Sequence, residues 1–177
     1  MSEGFTESSR KEAEQIMATL IQLDKLLASN RLSTVYASEA TDLRATVSDL
    51  LVRFRTNLEN LAEVDRADVF KTDPTLANRR FVLIGNIEAA KTVYETQVLP
   101  DLDRMTARVI EQAKAGAPAS LDVSGLPPAP SGERWTVQKV VDTAERLLNQ
   151  GTKAVQVAAK GYAMVKALGL LVGIAIP

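Results

Sequence analysis

Apolar side chains recur at intervals of three and four residues along most of this chain, and this spacing is what most constrains its fold. Such spacing gathers them on one side of an α-helix, whereas a half-buried strand requires strict alternation, which we do not find. The two clearest stripes predict helices over about residues 9–29 and 33–64. The first comprises Ala13, Ile16, Met17, Leu20, Leu23 and Leu27, and the second Leu43, Val47, Leu50, Leu51, Phe54, Leu58 and Leu61.

Cap signals predict where the first and third helices begin. Ser9 and Glu12 have the spacing of a capping box, in which two side chains satisfy free backbone amides. Asp73 followed by Pro74 predicts the start of a third helix, over about 74–115. Aspartate there can accept from first-turn amides, and proline loses no hydrogen bond at the first helical position.

A proline interrupts the third helix. Pro100 would forfeit a hydrogen bond and clash with the preceding turn, at a cost of about 3 kcal/mol in a regular helix interior. The apolar stripe nevertheless continues through it, from Leu83 to Val109. We therefore expect the helix to kink near Gln97 rather than to break and restart.

Residues 116–132 form the one clear boundary in the chain. Pro118, Pro127, Pro128 and Pro130 lie there among glycines and small residues, a composition that is typical of a semi-extended connector. The sequence thus predicts a helical bundle core over 1–115, a linker over 116–132 and a C-terminal amphipathic-to-apolar helix within 133–177. The predicted fold is all-α: a bundle of three long antiparallel helices plus a fourth over about 132–175.

The chain has no cysteine and no histidine, which removes most familiar active sites. Without cysteine the chain cannot have disulfides, thiolate nucleophiles or cysteine zinc sites. Without histidine it lacks the commonest general base and the commonest metal ligand. Asp101 and Asp103 are two residues apart on a helix, so their side chains point away from each other and cannot act as a pair of carboxylates. We find no phosphate-binding motif either. We therefore expect no enzyme, and no catalytic, cofactor-binding or metal site.

Charge indicates which partners suit the chain. The formal net charge is −1, so we expect no nucleic-acid binding, which needs a concentrated basic surface. The absence of cysteine fits a reducing cytoplasm. Residues 133–177 nevertheless carry six basic and three acidic groups, a net of +3, and no acid follows Glu145. This basic end suits a protein partner, a second copy or an anionic membrane surface.

The C-terminal segment carries the functional signal. Lys153, Lys160 and Lys166 lie roughly along one side of a helix, and residues 167–177 contain no charge. The 17 residues from Gly161 would span about 26 Å as a helix, just short of a hydrocarbon core of about 30 Å. Gly169 and Gly173 form a small-xxx-small pattern that permits close helix contacts in lipid.

Twelve residues are the candidate contacts with a membrane or partner. Trp135 belongs to them because indole favours interfaces, although its position favours the alternative of an anchor that holds the fourth helix on the bundle. The full set is Trp135, Lys153, Lys160, Tyr162, Lys166, Leu168, Gly169, Leu170, Leu171, Gly173, Ile174 and Ile176.

Two functions follow as hypotheses. The first is a non-enzymatic interaction or effector module, cytoplasmic or at a membrane, whose basic, apolar C-terminal helix engages the membrane or self-associates. In helix order and tail character the chain resembles the membrane-disrupting helical effector domains of cell-death and defence systems. The alternative is a soluble structural or adaptor bundle whose C-terminal helix completes the core or a dimer interface.

Overall fold

The computed structural model describes residues 5–29, 32, 36–115, 126–129 and 131–177, and all regular structure in these ranges is helical. The predicted all-α class is confirmed. The elements are α1 (Glu7–Leu27), α2 (Ala37–Ala67), α3 (Pro74–Val93), a π-helical segment (Tyr94–Val98), α4 (Leu99–Lys114), α5 (Val137–Lys153) and α6 (Val157–Leu171).

The helix starts follow local capping chemistry. The α1 helix begins two residues before the predicted position, because the Thr6 side chain rather than a Ser9 capping box accepts from a first-turn amide, that of Ser9 (3.2 Å). The predicted start of α3 is confirmed, since Asp73 Oδ1 accepts from the Thr75 amide at 2.8 Å and Pro74 takes the first helical position.

The helix that contains Pro100 continues without a break. α3, the π-helical segment and α4 follow one another directly, and the Leu99 amide donates to the Tyr94 carbonyl five residues earlier. Pro100 is the second residue of α4, immediately after this wider turn. A π turn is the form in which an α-helix absorbs a local misfit, so the extra residue accommodates the proline without ending the helix.

Ion pairs show that the first helices run antiparallel. Asp65, near the end of α2, binds Arg10 at the start of α1 (2.5 Å) and Arg80 at the start of α3 (2.9 Å). Arg44 near the start of α2 binds Asp24 near the end of α1 at 2.9 Å. The antiparallel order of these three elements therefore matches the prediction.

The predicted single fourth helix is two helices. α5 ends at Lys153 and α6 begins at Val157, and the backbone between them is extended at Ala154 and Gln156 (ψ 135° and 132°). The break lets α6 fold back onto α5, so that the apolar sides of both helices reach the core. Gly151 permits this close approach, because a Cβ there would lie 3.3 Å from Cβ of Ala163.

The predicted linker falls mostly outside the described residues. Residues 116–125 and 130 are not described, so the extended connector and the three-part domain division remain predictions. At its end, Gly132 adopts φ +77° and its amide donates to the Ala129 carbonyl at 2.7 Å, which forms a tight turn before α5.

The core is one continuous apolar cluster to which every helix contributes. Fully buried members include Leu20 of α1, Phe54 of α2, Leu102 of α4, Val140 of α5 and Leu168 of α6. α1 packs against both α2 and α6, and α6 also packs against α4 and α5. The C-terminal helix is therefore built into the bundle.

A close contact between Tyr94 and Gly161 joins the π-helical segment to α6. The Tyr94 side chain is fully buried, and its hydroxyl has no hydrogen-bond partner in the described part of the chain. A Cβ at Gly161 would overlap that hydroxyl oxygen and lie 2.7 Å from Cζ of the ring. Glycine is therefore required at this crossing because the ring occupies the space of a side chain.

We predict that Gly161→Ala lowers the free energy of unfolding by about 1–3 kcal/mol, because the methyl group overpacks the Tyr94 site. This loss runs against helix propensity, which favours alanine over glycine by about 1 kcal/mol. Gly85→Ala is the matched control, since no atom lies within 4 Å of the added Cβ. It should raise the free energy of unfolding. Denaturant titration checks both variants, and stabilisation by both would contradict the close contact.

A second prediction concerns alkaline pH. Burial raises the pKa of Tyr94 above its ordinary value, so its neutral form stabilises the fold fully below about pH 10 and less as the pH rises further. Tyr94→Phe should therefore flatten the loss of stability between about pH 8 and about pH 10.5. Denaturant midpoints at the two pH values measure this slope.

Burial also raises the pKa of Tyr36, so part of the slope should persist in the variant. Parallel slopes for both proteins would contradict the assignment.

Candidate interaction site around the C-terminal helix

The apolar candidate residues face mainly into the protein. Leu168, Gly169 and Leu171 are buried on α6, and Ile176 is buried beyond its end. Leu170 and Gly173 are half-buried and Ile174 is exposed. The structure thus brings most of the predicted apolar contact set together inside the bundle, against α1, α4 and α5.

The charged and aromatic candidates lie at the surface. Lys153 is exposed, whereas Lys160 and Lys166 are half-buried. Lys166 Nζ lies 5.4 Å from the centre of the exposed Tyr162 ring, within the range of a cation–π contact. The three lysines do not share one helix as predicted, because Lys153 ends α5 whereas Lys160 and Lys166 lie on α6.

Trp135 is placed apart from α6. Its ring is half-buried against the core cluster, and its indole Nε1 donates to the Pro127 carbonyl at 2.8 Å. The residue therefore ties the end of the predicted linker to the bundle just before α5. The sequence allowed two roles for Trp135, an anchor for the fourth helix or an interfacial residue. This placement agrees with the anchor.

The two glycines of the small-xxx-small pattern end α6 in a Schellman motif. The Gly173 amide donates to the Leu170 carbonyl (3.1 Å), and the Ile174 amide donates to the Gly169 carbonyl (2.8 Å). Gly173 adopts φ +77°, a conformation that costs a residue with a Cβ about 1–2 kcal/mol. The motif reverses the chain after α6.

Gly169 makes room for the reversed tail. A Cβ at Gly169 would lie 2.7 Å from the Ile174 carbonyl oxygen and 2.7 Å from Cγ1 of Ile176. Tyr162 secures the last residue, since its hydroxyl donates to the Pro177 carbonyl oxygen. Residues 174–177 are therefore folded back along α6.

A cleft opens between α1, α6 and this folded-back tail, and we refer to it as the α1–α6 cleft. Its volume is about 540 Å³. On α1 it is lined by Gln15, Ala18, Thr19 and Gln22, which share one side of the helix by their spacing. Sequence reasoning missed this site, although the uncharged stripe within an otherwise charged helix is a signal that could have indicated it.

The opposite wall comes from α6, its start and the tail. Gln156 precedes α6, Tyr162 and Val165 lie on it, and Ile176 and Pro177 belong to the tail. None of the side chains that line the cleft in the described part of the chain is charged. This cleft brings Tyr162 and Ile176 of the predicted set together with α1 residues that the prediction did not include.

Exposed apolar side chains also lie on the turn between α2 and α3 and on α3 itself. Asp68 accepts from the Thr72 amide at 2.9 Å and so fixes the turn between α2 and α3, which presents Phe70 to solvent with 86% of its surface exposed. Phe81 and Val82 are exposed on the outer side of α3 (67% for Phe81). These side chains are therefore accessible to another molecule.

Two features are absent from the described ranges. No helix in them is both long and apolar enough to cross a membrane. No group of three or more acidic, histidine or cysteine side chains within the same residues is arranged to hold a metal ion. Some ionisable groups lie in surface pairs, such as Lys91 with Glu12 at 2.8 Å.

We predict that both glycines at the end of α6 contribute to stability in water. Gly173→Ala should cost about 1–2 kcal/mol because of its positive φ, and Gly173→Asn should cost less, since asparagine tolerates that conformation. Gly169→Ala should cost about 1–3 kcal/mol, because its methyl group overlaps the reversed tail. Denaturant titration without lipid measures each loss. Unchanged unfolding in both alanine variants would show that the reversal contributes nothing.

No protein-family model, curated protein or solved structure matches this chain.

Proposed function

We propose that this chain is a non-enzymatic helical adaptor bundle whose C-terminal helix completes its own core and whose surface binds a protein partner. The observation that carries the proposal is the burial of α6. Val165, Leu168 and Leu171 are fully buried among α1, α4 and α5. Burying a leucine side chain contributes about 1.5–3 kcal/mol, so the apolar side of α6 is held by the fold.

The end of α6 supports the same proposal. A helix that packs on another helix in lipid would present Gly169 and Gly173 to a neighbour. Here the Schellman motif and the folded-back tail take up both glycines, with Ile176 against Gly169. A membrane or self-assembly role for this pattern would require the tail to leave Gly169 and α6 to leave the core.

Two further observations favour binding over catalysis. The chain has neither histidine nor cysteine, and some of its acids lie in ion pairs, such as Asp65 with Arg10 and Arg80. The strongly exposed Phe70 and Phe81 supply apolar surface that a protein partner would cover. The adaptor proposal accounts for both.

The test compares two substitutions near the end of α6 and measures membrane binding of the unmodified chain. Leu168→Ala should lower the free energy of unfolding by about 2–5 kcal/mol, because it leaves a cavity in the core. Ile174→Ala is the matched control on the exposed tail and should stay within about 1 kcal/mol. The full chain should remain in the supernatant when vesicles of phosphatidylglycerol and phosphatidylcholine are sedimented.

The membrane hypothesis makes the opposite prediction in the same experiment. The full chain would sediment with the anionic vesicles, less so at high salt, because lysines such as Lys153 and Lys160 would meet the headgroups. Leu168→Ala would then weaken vesicle binding and leave unfolding in water unchanged. Either result would overturn the adaptor proposal in favour of a membrane-engaging C-terminal helix.

A further inference from the structure

We infer that the α1–α6 cleft binds an uncharged, largely apolar small molecule that carries hydrogen-bonding groups. Its volume of about 540 Å³ lies in the range of about 300–1,000 Å³ that is usual for small-molecule sites. Neither Phe70 nor Phe81 lines the cleft, so the inference goes beyond the proposed binding of a protein partner and does not depend on it.

The absence of charged side chains in the lining indicates which ligands the cleft favours. A carboxylate or phosphate group that entered the cleft would lose hydration and meet no opposite charge among the described side chains of the lining. Ala18, Ala159 and the Tyr162 ring are exposed and offer apolar surface instead. A neutral ligand with apolar rings or chains is therefore favoured over an anionic one.

Thr19 indicates that the ligand also makes a hydrogen bond. This residue lines the cleft and is only 4% exposed. Its hydroxyl takes part in no hydrogen bond with the described residues, unlike that of Thr106, which donates to the Leu102 carbonyl (2.7 Å). A nearly buried hydroxyl that faces a cleft without an internal partner is available to a carbonyl or hydroxyl group of a ligand.

Three amide side chains add hydrogen-bonding capacity at the same cleft. Gln15 and Gln22 lie two turns apart on α1, and Gln156 faces them from the start of α6. Within the described part of the chain none of the three amides has a hydrogen-bond partner. Each amide can donate and accept, so together with Thr19 they suit a neutral molecule with polar groups on an apolar frame.

The folded-back tail favours a small molecule over a peptide. Ile176 and Pro177 form part of the cleft wall, and the tail is held by the Tyr162 hydroxyl and by the Schellman motif at Gly173. The tail thus occupies a stretch of the groove along α6 that an extended peptide would otherwise follow. What remains is a bounded space of small-molecule size.

The experiment titrates the full chain with the neutral dye Nile red, whose fluorescence rises in apolar surroundings, and follows binding without lipid. Ala18→Phe fills the cleft from α1, and Ala77→Phe adds the same ring to an exposed alanine on α3. We expect saturable binding by the unmodified chain, at least tenfold weaker binding by Ala18→Phe, and unchanged binding by Ala77→Phe. Thr19→Val should weaken binding about fivefold, the equivalent of one neutral hydrogen bond.

The anionic dye 1-anilinonaphthalene-8-sulfonate tests the charge argument in the same assay. It should bind at least tenfold more weakly than Nile red, because its sulfonate meets no positive charge in the cleft. Equal binding of the two dyes would overturn the inference, as would unsaturable binding of Nile red. Equal binding by Ala18→Phe and Ala77→Phe would also overturn it, since the dye would then lie on the exposed apolar surface elsewhere.

Discussion

The apolar side of α6 is the surface on which the rest of the bundle closes. α1, α4 and α5 all pack against it, and Val165 and Leu168 at its centre are fully buried. Removing α6 would expose apolar area on three other helices at once. Burial of apolar area is the main favourable term in folding, so the bundle depends on this helix more than on its surface ion pairs.

The contact of Tyr94 with Gly161 determines how closely α6 approaches the continuous helix formed by α3, the π-helical segment and α4. Tyr94 begins the π-helical segment that precedes Pro100, so one irregular turn both accommodates the proline and carries the buried ring. The ring fits only because Gly161 has no side chain. The unpartnered hydroxyl of Tyr94 costs free energy that the surrounding apolar contacts offset.

The reversal after α6 links this packing to the proposed binding surfaces. Gly173 turns the chain back, Ile176 covers Gly169, and the tail becomes one wall of the α1–α6 cleft. Exposed apolar side chains such as Phe70 lie on the turn between α2 and α3 and are not part of the lining of the cleft.

The sequence by itself determined α1 to α4 and the all-α class, because apolar spacing and caps such as that of Asp73 act within a few residues along the chain. The roles of Gly169 and Gly173 could not be decided from the sequence. The same spacing of glycines occurs where helices pack closely in lipid and where a helix ends and the chain reverses. The break between α5 and α6 and the unpartnered Thr19 hydroxyl were decided only by the tertiary structure. Both depend on where α6 contacts α1. That contact joins residues more than a hundred positions apart in the chain, so no local sequence pattern indicates it.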